Sequence, residues 1–131
     1  NGINIEKSDM QTAEFKMDSG YKRALTLLRS GRRYDHIFCA TDNLAAGALL
    51  ACREQGLKVP EDMSLIIYDD LPWVCAYDYT AISHPFDQIS SMACEIVLNR
   101  LQNACIDNST STILEIDPIF ISRGSTTIAG K

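Results

Sequence analysis

The chain has 131 residues, of which 46% are hydrophobic and 22% charged, the length and balance of one ordinary globular domain. Its 17 acidic and 12 basic residues leave a net charge of −5, which excludes the basic face that a nucleic-acid-binding module usually carries. No apolar run approaches the roughly 20 residues that a membrane-spanning helix needs, and no basic, apolar-cored leader opens the chain. It starts on Asn1 rather than Met, the start expected of a fragment.

In chain order, Ile3 and Ile5 alternate with polar residues and predict a short strand. A loop follows over Gln11 to Met17, carrying Phe15. Asp18 or Ser19 can cap a helix over about Gly20 to Arg29, with Tyr21, Ala24, Leu25 and Leu28 as its apolar stripe and Gly31 at its end. His36 is expected in solvent ahead of a buried strand, Ile37-Phe38-Cys39-Ala40. Asp42 offers an N-cap for a second helix, over Leu44 to Gln55. Leu44, Ala45, Ala48, Leu49 and Cys52 line one face of it, and Gly56 fits the left-handed position that ends it. Val59 to Asp62 is a turn, and Ser64 to Tyr68 is a second buried strand that stops at Asp69-Asp70.

Two strands joined by a helical crossover of this length lie parallel in one sheet. Runs that are apolar on both sides suit a sheet covered on both faces. The fold class is therefore α/β, a parallel sheet with helices on both faces. Both strands then end on one edge, in Thr41-Asp42 and in Asp69-Asp70, and open α/β sheets bind ligands outside the carboxyl ends of their strands.

The stretch after Asp70 is rich in aromatics, and Pro72 stops the strand from continuing. Trp73 and Tyr77 there suit either a subunit interface or a cover for the sheet edge. Thr80 to Ser83 reads as a short strand, and the loop His84-Pro85-Phe86 follows. Asp87 then caps a helix to about Leu101, with Ile89, Met92, Ala93, Ile96, Val97 and Leu101 on one face. Asn103 to Ser111 is a polar loop. Thr112 to Ile116 and Pro118 to Ile121 read as two closing strands, and Ser125 to Lys131 as a frayed tail.

The five cysteines, Cys39, Cys52, Cys75, Cys94 and Cys105, are odd in number and form no CxxC pair. Cys39, Cys52 and Cys94 fall at apolar positions, where a free thiol acts as a small hydrophobe. This usage favours a reducing cytoplasm over a disulfide framework. In that compartment the sequon Asn108-Ser109-Thr110 is a chance match.

The run ATDNLAAGALLACREQGLKVPEDMSLIIYDD, Ala40 to Asp70, resembles the signature of the LacI/GalR family of bacterial transcription regulators. Asp18-Ser19-Gly20-Tyr21 upstream and Phe120 to Thr126 downstream resemble further family motifs, so the likeness covers about Phe15 to Thr126. It implies a type I periplasmic-binding-protein-like effector domain. Residues 1–83 and 111–126 would belong mainly to its C-terminal lobe, and 84–110 would cross to the N-terminal lobe. The DNA-binding headpiece would lie outside these residues. The resemblance also implies a small sugar-like effector, a homodimer through the Trp73 and Tyr77 region, operator DNA only through the headpiece, no membrane, and neither cofactor nor metal.

By motif position the candidate ligand residues are Asp69, Thr41, Phe15, Phe86 and His84. Asp69 matches the first Asp of a pair that hydrogen-bonds sugar hydroxyls in many family members, and a carboxylate can accept from two vicinal hydroxyls at once. Asp70 is expected to bond nearby backbone. Thr41 stands where the family usually has Asn, and His84 where it commonly has Gln. Ile67 replaces a usual Gly, and Gly124 a usual Glu. Phe15 and Phe86 match positions that lie against or close over the sugar, while Phe15 also suits a hydrophobic staple on the following helix. Two other readings stay open. One is a periplasmic sugar carrier. The other is an enzyme holding Mg²⁺ on Asp42, Asp69 and Asp70, although no Gly-rich phosphate loop, GxSxG or paired nucleophile is present.

Overall fold

The computed structural model describes residues 5–72, 74–102 and 113–127. A four-stranded sheet runs in the order β1 (His36–Cys39), β2 (Ser64–Tyr68), β3 (Thr80–Ser83), β4 (Ile119–Ile121). The first three strands are parallel, and β4 is antiparallel to β3. The sheet is thus mixed rather than wholly parallel. Three helices accompany it: α1 (Met17–Leu28), α2 (Asp42–Glu54) and α3 (Phe86–Gln102).

The core lies between the sheet and α2. Register sets Ile37 beside Leu65, and Cys39 beside Ile67 and Ala81. All five are buried against Ala45, Ala48, Ala51 and Cys52 of α2. The opposite face carries Phe38, Ile66, Tyr68, Ile82 and Phe120 in register, and Phe38, Tyr68 and Phe120 stay exposed. Among the described residues, the helix packed on the sheet therefore covers one side of it.

Glycines let α1 reach α2. A Cβ on Gly20 would stand 2.5 Å from the Leu44 carbonyl oxygen, and one on Gly47 would overlap the Met17 carbonyl oxygen and the Tyr21 nitrogen. The far ends are tied by Tyr21 and Arg29, which both donate to Glu54. α2 closes in a Schellman arrangement: Leu57 N–H donates to Cys52, Gly56 N–H donates to Arg53, and Gly56 takes φ 73°.

Several expectations change. α1 starts three residues earlier than expected, so Asp18 and Ser19 lie inside its first turn and Lys16 is the cap position. α2 is capped by Thr41, whose Oγ1 accepts from Leu44 N–H at 3.3 Å, while Asp42 is the first helical residue. Residues 7–9 form one 3-10 turn; Ile5 is in no strand, and Ile3 lies outside the described residues. Residues 113–116 form no strand. Cys94 is exposed on α3, whereas Cys39 and Cys52 are buried as expected. No residue of α3 is buried, and Val97, Leu98 and Leu101 are exposed.

The expected frayed tail is in fact bonded into the sheet as far as Thr127. Ser125 sits between the amino ends of β2 and β3. Its backbone oxygen accepts from Leu65 N–H (2.8 Å), its hydroxyl donates to the Leu65 oxygen (2.5 Å), and the same Oγ accepts from Thr80 N–H (2.8 Å). Ile128 to Lys131 lie outside the described residues.

Candidate functional site

The parallel strands bring three loops to one edge of the sheet. Thr41 follows β1, Asp69 follows β2 and His84 follows β3. Asp69 N–H donates to the Ile82 carbonyl at 3.0 Å, which makes it the last rung between β2 and β3. It then turns at φ 77°, one of two non-glycine residues described at positive φ, with Asp78 at 54°. Aspartate tolerates this region better than most side chains, but the conformation is still costly, and such residues collect at functional sites.

The turn sends the two carboxylates of Asp69-Asp70 in different directions. Asp70 is paired bidentately with Arg123, Oδ1 to Nη1 and Oδ2 to Nη2, both at 2.8 Å, and Arg123 also donates to the Tyr79 carbonyl at 2.8 Å. So Asp70 holds a side chain of the C-terminal segment and not, as expected, the nearby backbone. The pair is largely buried, and a forked guanidinium–carboxylate contact of this kind is the strong form of the ion pair. It clamps the segment after β4 to the end of β2.

Asp69 points to the other side. Its Oδ1 stands 3.2 Å from His84 Nε2, and both side chains are about a third exposed (34% and 28%). The imidazole is edge-on to Tyr68, with centroids 4.7 Å apart at 84°, and lies 5.6 Å from Phe86. Phe38 meets Tyr68 edge-on at 6.5 Å. Four rings, Phe38, Tyr68, His84 and Phe86, therefore form a row beside one carboxylate. Such a row offers apolar faces for the C–H side of a ring, and Asp69 an acceptor for its hydroxyls.

Of the five residues expected at the site, the structure brings together Asp69, His84 and Phe86. Thr41 is on the same edge, with its hydroxyl used by the α2 cap. Phe15 is 72% exposed in the loop before α1, whose Met17 carbonyl lies against α2. The expected interface residue Tyr77 is exposed and stacks on Tyr79 at 5.7 Å, and Trp73 lies outside the described residues. Sequence reasoning missed Tyr68 and Phe38, because strands read as apolar on both faces do not say which side chains stay open. The aromatic directly ahead of the Asp pair was the available signal. Asp42, Asp69 and Asp70 do not form the Mg²⁺ cluster of the alternative enzyme reading: among the described residues no three His, Cys, Asp or Glu side chains gather as a metal would need.

Gly124, where the resembling family has Glu, lies against Asp78. The Gly124 N–H donates to Asp78 Oδ2 at 3.1 Å, and a Cβ at residue 124 would overlap that oxygen.

Comparison with known proteins gives the same frame. The model of the periplasmic binding protein-like domain matches residues 1–126. The chain is 30% identical over 125 residues to the HTH-type transcriptional repressor PurR of Proteus mirabilis, and 33% identical to that of Shigella dysenteriae. Each alignment covers 94% of this chain and 36% of the relative. The chain thus spans about a third of the length of the curated relatives it matches. Among solved structures it is similar to a ribose-bound LacI family regulator from Enterococcus faecium (TM-score 0.69, 27% identity, 87% of this chain and 41% of that one). It is also similar to a lactose complex of a LacI family regulator from Arthrobacter (0.75, 26%, 88% and 43%). A third is a sugar-binding LacI family regulator from Escherichia coli complexed with phosphate (0.74, 25%, 95% and 44%).

Proposed function

Because the chain belongs to the periplasmic binding protein-like domain family, we propose that it forms one wall of the effector cleft of a LacI-type transcription regulator, where a small neutral sugar-like molecule binds at Asp69. The observation that carries this reading is the partly exposed Asp69 carboxylate at the carboxyl edge of the parallel strands, flanked by His84, Tyr68 and Phe86. Vicinal hydroxyls donate to the carboxylate, and the rings cover the C–H face of the sugar. The ribose and lactose bound by similar regulators support a sugar as the class.

The mechanism is allosteric. The ligand lies between two lobes, favours one arrangement of them, and shifts the regulator toward that state by no more than its difference in affinity for the two. α3 is the element that crosses toward the second lobe, which its exposed apolar face supports. The surface around Trp73 and Tyr77 pairs with a second copy in a homodimer. Operator DNA is read by a headpiece outside these residues, in a cytoplasmic regulator, in keeping with a net charge of −5.

Isothermal titration of the full-length regulator against D-ribose, lactose and inorganic phosphate, with Asp69→Ala beside it, tests the reading. Heat with one sugar that vanishes in Asp69→Ala is the expected result. Sugar heat that persists unchanged in Asp69→Ala, or silence with every sugar, would remove the proposed effector site.

A further inference from the structure

We propose that His84 is a positioning residue, which pins the Asp69 carboxylate by one oxygen so that the other is presented to the ligand; this rests on the sugar-site reading above. The backbone of Asp69 is fixed twice over, by its N–H bond to Ile82 and by the Arg123 clamp on the next residue. Among the contacts described, its carboxylate has one side-chain neighbour, the His84 imidazole with Nε2 3.2 Å from Oδ1. The imidazole is itself held by rings on two elements, Tyr68 at the end of β2 and Phe86 at the start of α3.

A carboxylate on a left-handed residue at an open edge would otherwise sample several rotamers, and ordering it would weaken binding. With Oδ1 facing the imidazole nitrogen at 3.2 Å, Oδ2 is the acceptor offered to a hydroxyl. The arrangement therefore favours a neutral polyol, which can donate, over an anion, which the carboxylate repels. It also gives His84 a role beyond the ring's contact with the sugar. The nitrogen matters for the carboxylate, and the ring for its own placement.

Two variants separate these parts. His84→Phe keeps a ring between Tyr68 and Phe86 and removes the nitrogen; His84→Gln keeps a nitrogen donor and removes the ring. In the 131-residue chain, NMR three-bond couplings report the Asp69 χ1 rotamer, and amide shifts report D-ribose affinity. The expected result is one Asp69 rotamer in the wild type and in His84→Gln, and rotamer averaging in His84→Phe. Ribose binding should weaken about three- to tenfold in His84→Phe, the size expected for ordering one side chain, while the Asp69 rotamer is the readout that separates the two variants. An Asp69 rotamer and a ribose affinity unchanged in His84→Phe would overturn the proposal. If the full-length regulator binds no sugar while His84→Phe still frees Asp69, the positioning role stands and the sugar reading falls.

Discussion

The phenol of Tyr79 is 2% exposed, and among the described residues its hydroxyl has no hydrogen-bond partner. Leaving a buried hydroxyl unpaired costs free energy that an apolar isostere of the same shape avoids. Tyr79→Phe should therefore fold normally and match or exceed the wild type in stability, by up to about 1 kcal/mol in urea unfolding at pH 7. Alkali adds a second test. Burial pushes the Tyr79 phenol up to about 12, and the thiols of Cys39 and Cys52 up to about 12 and about 11. Each folded value lies above the ordinary one, so the folded state holds these protons more tightly. Stability is then fully present below about pH 9 and falls as pH rises toward 12. Tyr79→Phe should flatten the upper part of that fall, above about pH 10, and leave the part belonging to the thiols. At this scale the sequence was a partial guide. Buried Cys39 and Cys52 were legible from apolar spacing. Asp69 and His84 were legible as separate candidates, but their contact depends on how β2 and β3 are registered. The Arg123 partner of Asp70 lies 53 positions away, and no local pattern announces it.

Elements were legible where pattern and cap agree. The strands over residues 64–68 and 80–83 stand as read, and Gly56 ends α2 where its freedom at positive φ is needed. Of the strand expected over Thr112 to Ile116, residues 113–116 stay outside the sheet and Thr112 lies outside the described residues. The tail differs in the opposite sense. Ser125 and Thr126 look like a loose end, but Ser125 supplies bonding partners for Leu65 and Thr80. Ser125→Ala would strip Thr80 N–H and the Leu65 carbonyl of their partners in a 3% exposed site. It should cost about 2 kcal/mol in chemical unfolding. Gly47→Ala is the matching test between α1 and α2. A methyl there meets backbone and not a yielding side chain, so a loss of about 1–3 kcal/mol or more is expected.

The whole molecule is acidic, with a sequence pI near 4.9, and no helix of the described residues is long and apolar enough to cross a membrane. A body of this charge repels phosphate backbones at long range. The chain should therefore leave a duplex DNA unshifted in gel mobility at micromolar concentration and physiological salt, as expected if operator recognition belongs to a headpiece elsewhere. The central claim at this scale is that the carboxyl edge of the sheet, and not another surface, receives the ligand. The most direct test is a ¹H–¹⁵N amide-shift map of the chain titrated with D-ribose. The account predicts shifts gathered at Thr41, Asp69, His84 and Phe86, all lost in Asp69→Ala. Shifts elsewhere, with those four residues unmoved, would contradict it.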